Sequence, residues 1–290
     1  MAGHRRGQRD DAGVRSDHQW RPLAPSLPRA LVFTALVLGV LSIGLPNIAP
    51  DVEFMSAPGS PVRQFFGVSE EMNLPTFFSV MTSLAAAGVL GLAGVLAGGR
   101  LRTPFLITAG LLVLLGFDDF AALHEHLRAL GDLMAEGDLG AFEYAWVLPG
   151  AVIGAGVVWA FRRLATRLRG TPRRDLLLGI AVFFVAALGL ETVNGFLDRP
   201  GLDGMPLQIG THVEEITEDL GMILVLRGAL ALLQVSRSRG GVALRVADRG
   251  LVAGGPPADD DRVVPEPSVR LVEIDAVAVT DRIPVVSARP

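Results

Sequence analysis

Ionisable side chains cluster at the ends of apolar segments in this chain of 290 residues. The clearest cluster lies in residues 116–126, where two Asp, one Glu and two His side chains end an apolar run that begins at Thr103. Two further clusters lie at residues 191–194 and 212–219. Ionisable groups at membrane depth are costly unless they face protein or water, so such clusters indicate functional sites.

These residue types predict a divalent metal cofactor. Histidine nitrogen and carboxylate oxygen, in a chain that has no Cys, suit Zn, Fe or Mn, and helical bundles build such sites from facing helices. The candidate ligands are Asp118, Glu125, Glu191, His212 and Glu215, with Asp119 and His124 as weaker candidates. If the metal activated a water for hydrolysis, Glu218 would be the candidate general base.

Helical spacing groups some of these residues on common faces. Asp118 and Glu125 are seven residues apart and share one stripe of a continuous helix, as Asp119 and His126 do. A second face, spanning about 120°, contains His212, Glu215, Glu218 and Asp219, with Glu214 at its margin. Carboxylates that converge without nearby cationic side chains cannot all be ionised unless water, protons or a bound cation compensates.

Three classes of function remain open on these observations. The first is a metal-binding membrane protein, which includes a metal-dependent enzyme. The second is a proton or cation transporter or channel, although the inner halves of the apolar segments contain almost no acids. The third is a membrane sensor or scaffold whose polar network is purely structural. No nucleotide loop, nucleophile motif or cofactor fingerprint selects a reaction.

The elements that carry these residues are six apolar segments. Half of the residues are hydrophobic, and the mean hydropathy is +0.44, which is typical of a membrane protein. The segments span residues 30–49, 75–98, 103–127, 145–161, 176–196 and 212–234. Each is close to the length that crosses a bilayer, so the sequence predicts an all-α, polytopic bundle of about six transmembrane helices.

The arginine distribution predicts how this bundle is oriented. The chain contains no Lys, and its Arg residues concentrate before the first segment and in the loops after the second, fourth and sixth. The opposite loops contain only Arg63, Arg128 and Arg199. By the positive-inside rule, both termini are cytoplasmic and the protein is a multi-pass protein of the bacterial plasma membrane.

Three regions follow from this topology. Residues 1–29 form an Arg-rich cytoplasmic leader that we expect to be disordered, and residues 30–235 form the transmembrane domain. Residues 236–290 are rich in Gly, Pro and Asp and predict a disordered cytoplasmic tail, with a strand at residues 269–279 as the weaker alternative. The expected partners are the lipid bilayer and a cytoplasmic partner of the tail, and no nucleic acid; the sequence leaves the oligomeric state open.

Several short motifs accompany the acidic clusters. They are Glu71-Met72-Asn73-Leu74-Pro75-Thr76-Phe77-Phe78-Ser79, Asp118-Asp119 with His124-Glu125, Gly189-Leu190-Glu191, and Glu214-Glu215 with Glu218 and Gly221. This set resembles an uncharacterised family of bacterial multi-pass membrane proteins over about residues 70–235. That family usually has Glu where this chain has Asp119 and Met where it has Asp219. The resemblance supports the choice of residues and implies no particular reaction.

Overall fold

The computed structural model is mostly helical. It describes residues 19–48, 51–57, 59–68, 70, 72–121, 123, 125–127, 130, 146–198, 204–238, 241–252 and 272–275. The helices are α1 (Leu27–Ile48), α2 (Glu53–Ser56), α3 (Pro61–Phe66), α4 (Leu74–Ala97), α5 (Gly99–Ala121), α6 (Val147–Ala165), α7 (Gly170–Leu197) and α8 (Met205–Leu230). Within α7, residues Val185–Leu190 form a π-helical turn.

Five of the long helices in the described part of the chain, α1, α4, α5, α6 and α7, are long and apolar enough to cross a membrane. This confirms a helical fold compatible with a multi-pass membrane protein. The sixth predicted segment forms α8, which has 26 residues. Its length is sufficient, but four carboxylates at residues 214–219, together with Arg227, make it more polar than the other five.

The sequence predicts that the third apolar segment is one helix up to residue 127, but the helix ends earlier. Helix α5 ends at Ala121, and Glu125–Leu127 form a separate 3-10 turn. The backbone N–H of Leu123 donates to the carbonyl of Asp118, five residues earlier, at 3.3 Å. Negative side chains near a helix C-terminus oppose the helix dipole, which disfavours extension here. Asp118 and Glu125 therefore do not share a stripe of one helix, and neither do Asp119 and His126.

The described parts of the tail, residues 236–238, 241–252 and 272–275, differ from the predicted disorder, and the last of them lies within the alternative strand predicted at residues 269–279. Strands β2 (Leu233–Ser238), β3 (Gly241–Val246) and β4 (Val272–Asp275) form an antiparallel sheet with β1 (Arg21–Pro22), in the order β1-β2-β3-β4. Apolar and polar residues alternate over residues 233–236 of β2 and 244–246 of β3, which is the pattern of a half-buried strand. The surrounding Gly and Pro residues suggested disorder because they break a helical period, but they are compatible with hairpins.

Pairing between β1 and β2 brings together the start and the end of the segment that forms the helical bundle. Strand β1 lies just before α1, and β2 lies just after α8. The guanidinium of Arg245 on β3 lies 4.2 Å from the ring centroid of Trp20, and its Nε donates to Gln234 Oε1 at 2.9 Å. The start of α1 and the end of α8 therefore lie at one end of the bundle, which we call the sheet end.

Helix α8 packs against α7, α4 and α1. Its backbone approaches α7 most closely at two glycines. A Cβ added to Gly179 would lie 2.6 Å from the Gly221 carbonyl oxygen, and a Cβ added to Gly221 would lie 2.6 Å from the backbone nitrogen of Phe183. Because neither position can accept a side chain without movement, this crossing fixes the separation of α7 and α8.

The entry into α4 and its exit are both fixed locally. Asn73 caps the helix: its Oδ1 accepts from the backbone N–H of Thr76 at 3.1 Å, and Pro75 occupies the first turn, where no N–H is needed. At the other end, Gly98 and Gly99 have φ of +62° and +49°, a region that glycine enters without steric cost. The motif at residues 71–79 thus has a structural role as a helix start.

A buried ion pair joins α7 to α8 near the sheet end. Asp175 is 0% exposed and accepts from Arg227 Nε at 2.7 Å and from Arg174 Nε at 3.0 Å. A buried carboxylate needs partners of this kind because its desolvation is otherwise uncompensated. The sequence-based statement that the inner halves are almost devoid of acids overlooked this residue, which lies one position before the predicted segment.

Candidate functional site

The acidic residues converge on a cavity of about 170 Å³ between α5, α6, α7 and α8, at the end of the bundle opposite the sheet. Six carboxylates line it: Asp118, Asp119, Glu191, Glu214, Glu215 and Glu218. The remaining lining residues are apolar or aromatic apart from Gly150, and they include Trp146, Phe183 and Phe184. No basic side chain lines this cavity within the described part of the chain. We call it the acid cavity.

Glu214 is the most enclosed carboxylate of the acid cavity. It is 5% exposed, and its Oε2 accepts from Asn194 Nδ2 at 2.5 Å. Its carboxyl group also lies within hydrogen-bond reach of Glu191. Two α7 side chains, Asn194 and Glu191, thus contact the Glu214 carboxyl group.

Glu218 lies one helical turn after Glu214 and is surrounded by negative charge. It is close enough to Glu215, Glu214, Asp119 and Glu191 to interact electrostatically with all four. Like charges in a partly buried cluster repel one another unless a counter-charge or protons intervene. The cavity thus concentrates negative charge at one point between three helices.

Asp219 adjoins this cluster without lining the acid cavity. It interacts electrostatically with Asp119, and its Oδ1 is buried without a hydrogen-bond partner in the part of the chain that the structure describes. Buried polar atoms usually have partners, and exceptions call for an explanation such as an ion or water at the site. Asp219 therefore adds another carboxyl group beside Asp119 of α5.

The π-helical turn of α7 positions Glu191. Residues Val185–Leu190 form this turn, Ala187 and Leu188 line the acid cavity, and Glu191 follows directly. One extra residue in a helical turn rotates the residues beyond it by about 100° relative to a continuous α-helix. Such turns occur frequently at functional sites. Here the turn places the Glu191 carboxyl group against α8.

His212 lies on another face of α8 and joins a different network. Its Nδ1 lies 2.7 Å from the Gln208 carbonyl, and its Nε2 lies 2.9 Å from Ser42 Oγ on α1. Ser42 Oγ also accepts from the backbone N–H of Val68 at 3.1 Å. With hydrogen on Nδ1, His212 donates to Gln208 and accepts from Ser42, so both ring nitrogens are satisfied. The network ties α1 and the segment after α3 to α8.

The structure therefore brings together only some of the predicted site residues. Asp118, Asp119, Glu191, Glu215 and Glu218 line one cavity, whereas His212 lines a separate small pocket with Ser42. Glu125 belongs to the 3-10 turn after α5, but its side chain lies outside the description, as does all of His124. No group of three or more His, Asp or Glu side chains in the described ranges is arranged to hold a metal ion.

Sequence reasoning placed Glu214 at the margin of the site, but the structure places it at the centre. The spacing of Glu214, Glu215 and Glu218 could have placed Glu214 in the site, because these three residues lie within about 100° of one another around the helix axis. The bond between Asn194 and Glu214 requires knowledge of how α7 and α8 face each other. Trp146 also lines the cavity, and the sequence analysis did not include it among the site residues.

Comparisons with known proteins give one match. Residues 30–233 match the family described as Domain of unknown function (DUF8692), a region that extends from the first turn of α1 to the start of β2. No curated protein and no solved structure matches the chain. The resemblance to an uncharacterised family is thereby confirmed, and all six carboxylates of the acid cavity lie inside the matched region. The chain belongs to the DUF8692 family.

Proposed function

We propose that this protein binds a hydrated, oxygen-preferring divalent cation in the acid cavity, at the extracytoplasmic face of the bacterial plasma membrane. One observation carries the proposal: six carboxylates from three helices line a single cavity that has no basic lining residue in the described chain. A divalent cation supplies the counter-charge that this arrangement lacks.

The donor set favours Mg²⁺, Ca²⁺ or Mn²⁺. The sequence-based prediction of Zn, Fe or Mn relied on a histidine ligand, but both ring nitrogens of His212 are engaged elsewhere. Carboxylate, amide and water oxygens suit the harder cations. Mn²⁺ belongs to both sets and is therefore the most informative probe.

The size of the cavity supports a cation that keeps part of its water shell. A volume of about 170 Å³ accommodates several water molecules. Mg²⁺ usually retains several waters and contacts one or two carboxylates directly, so binding does not require three preformed ligands. In this proposal the cation contacts Glu191 and Glu214, and the Asn194 amide keeps Glu214 in place.

We further propose that all six long helices span the membrane, with both termini in the cytoplasm. The pairing of β1 with β2 supports this, because an even number of crossings returns the chain to its starting side. The arginine distribution supports the sheet end as the cytoplasmic one. Helix α8 crosses with its carboxylates turned toward the acid cavity and away from lipid, as intramembrane charges require.

Binding from one side fits the core better than transport across it. Between Asp219 and the ion pair of Asp175 with Arg227, the buried residues of α8 and α7 are apolar or Gly and include Met222, Val225 and Ile180. After Asp219, the next charged residue on α8 is Arg227, about 12 Å farther along the axis at 1.5 Å per residue. In a metal-dependent enzyme, Glu218 would remain the candidate base, since it lines the cavity with the candidate ligands.

The binding of Mn²⁺ to the detergent-purified full-length protein tests this proposal. Electron paramagnetic resonance measures free Mn²⁺ directly, so a titration yields the number of bound ions and their affinity. We expect saturable binding that Mg²⁺ displaces, and a loss of affinity of about tenfold to 100-fold in Glu214→Gln, the range seen when groups that orient metal ligands are removed.

Glu53→Gln is the matched control. Glu53 is an exposed carboxylate on α2, so its replacement removes the same charge outside the acid cavity. The affinity of the Glu53→Gln variant for Mn²⁺ should equal that of the wild type. Absence of saturable binding to the wild-type protein, or equal losses in the two variants, would contradict the proposal.

A further inference from the structure

A second cavity lies between α6 and α7 near the sheet end and has a different chemistry. It is an open groove of about 620 Å³. Its polar lining includes Arg162, Arg163 and Arg173, with Thr166 beside them. No acidic side chain lines the groove within the described residues, so its charge is opposite to that of the acid cavity.

The three arginines are available to a ligand. All three are exposed, and none forms an ion pair within the described part of the chain. Arg163 instead lies over the ring of Trp159, 5.1 Å from its centroid. Nearby Arg174, by contrast, is bonded to buried Asp175. The groove thus holds uncompensated positive charge next to an aromatic surface.

The floor of the groove is apolar and continues into the membrane-spanning part of α6 and α7. It is formed by Val158, Trp159, Leu177, Ile180 and Ala181, and both helices are candidate membrane spans. Trp159 is 61% exposed, which is typical of an aromatic side chain at a membrane boundary. A ligand of this groove therefore meets guanidinium groups at one end and hydrocarbon at the other.

We propose that this groove binds an anionic phospholipid of the adjacent leaflet, with its phosphate at the three arginines and an acyl chain along Trp159. Guanidinium groups bind phosphate oxygens through paired hydrogen bonds, and basic pockets between membrane helices hold anionic headgroups. The apolar floor selects a lipid rather than a soluble phosphate. This inference does not depend on cation binding in the acid cavity.

Quenching of Trp159 by brominated lipids tests the inference. The full chain carrying Trp20→Phe and Trp146→Phe retains only Trp159, because the protein has three Trp residues. It is placed in nanodiscs that contain either brominated phosphatidylglycerol in phosphatidylcholine or the reverse, at equal mole fractions. Because the bromine is on the acyl chain, it quenches Trp159 only through contact with the lipid and not through binding of a soluble phosphate. We expect the groove to prefer phosphatidylglycerol over phosphatidylcholine at least about fivefold, because one arginine near an anionic lipid surface contributes a factor of about that size.

The substitutions separate a site from general attraction to the membrane. Replacing Arg162, Arg163 and Arg173 with Gln should abolish the preference, and replacing them with Lys should retain it. The double variant Arg100→Gln and Arg102→Gln removes exposed charge at the same end of the bundle. This variant should leave the preference for phosphatidylglycerol unchanged. If the triple Gln variant does not fold, Arg173→Gln alone should still reduce the preference.

Two results would overturn the inference. One is equal quenching of wild-type Trp159 by the two brominated lipids. The other is a preference that the variant of Arg100 and Arg102 loses as fully as the variant of the three groove arginines. Either result would mean that the groove has no affinity of its own for the anionic headgroup.

Discussion

Replacing Glu218 with Gln is expected to make the protein more stable and to weaken its binding of cations. The amide has almost the same shape as the carboxyl group, but it cannot become negatively charged beside Glu215, Glu214 and Asp119. Relief of this repulsion should raise the free energy of unfolding by about 1 kcal/mol in chelator-treated protein. Functional sites often retain such destabilising charges because binding requires them.

Saturating Mn²⁺ should reverse this order of stability. A ligand that binds the folded protein stabilises it by about 2.7 kcal/mol at 100 times its dissociation constant, and only the wild type gains this fully. Thermal unfolding in detergent, with chelator and with Mn²⁺, measures both effects, and Glu53→Gln should match the wild type in each. A Glu218→Gln variant that is less stable without cation and unchanged in Mn²⁺ binding would indicate a structural polar network.

Replacing Gly221 with Ala is expected to destabilise the fold and to disturb the acid cavity. The new Cβ would lie 2.6 Å from the backbone nitrogen of Phe183 and 2.9 Å from the carbonyl oxygen of Gly179. Because both atoms belong to backbone, α7 and α8 must separate. Overpacking of this kind costs about 1 to 3 kcal/mol. Since α7 carries Glu191 and α8 carries Glu214, the affinity for Mn²⁺ should also fall.

Gly110→Ala is the matched control for this substitution. Gly110 lies inside α5, and a Cβ there would have no heavy atom within 4 Å. The change should leave Mn²⁺ binding intact and should raise stability by up to about 1 kcal/mol, the difference in helix propensity. Thermal unfolding and the Mn²⁺ titration are measured on both variants. Equal stability of Gly221→Ala and the wild type would contradict the proposed close crossing.

The helices could be predicted from sequence because hydropathy alone defines long apolar segments. Each of the six segments overlaps a long helix. The end of α5 could not be predicted in this way, because Asp118 and Asp119 interrupt a run whose apolar residues resume before His124. Strands β2 and β3 were missed because their Gly-rich surroundings favoured disorder, whereas β4 lies within the strand at residues 269–279 that was the weaker alternative. The pairing of β2 with β1 depends on residues more than 200 positions away.

The acid cavity was predicted in part because acidic side chains inside apolar segments are rare enough to be informative. Periodicity grouped His212 with Glu215, Glu218 and Asp219 on one face of α8, with Glu214 at its margin. The neighbouring helices divide this face: Glu191 and Asn194 on α7 contact Glu214, whereas Ser42 on α1 binds His212. The sequence of α8 alone does not contain that division.

Trp146 offers the most direct test of cation binding in the acid cavity, because its side chain lines that cavity. The protein carrying Trp20→Phe and Trp159→Phe retains Trp146 as its single Trp, and paramagnetic Mn²⁺ quenches nearby indole emission. We predict that the quenching saturates with the affinity found by electron paramagnetic resonance and that Mg²⁺ reverses it. At the Mn²⁺ concentration that saturates the wild type, the Glu214→Gln variant should lose this quenching. Quenching that rises without saturation, or that is identical in Glu214→Gln, would contradict a cation site in the cavity.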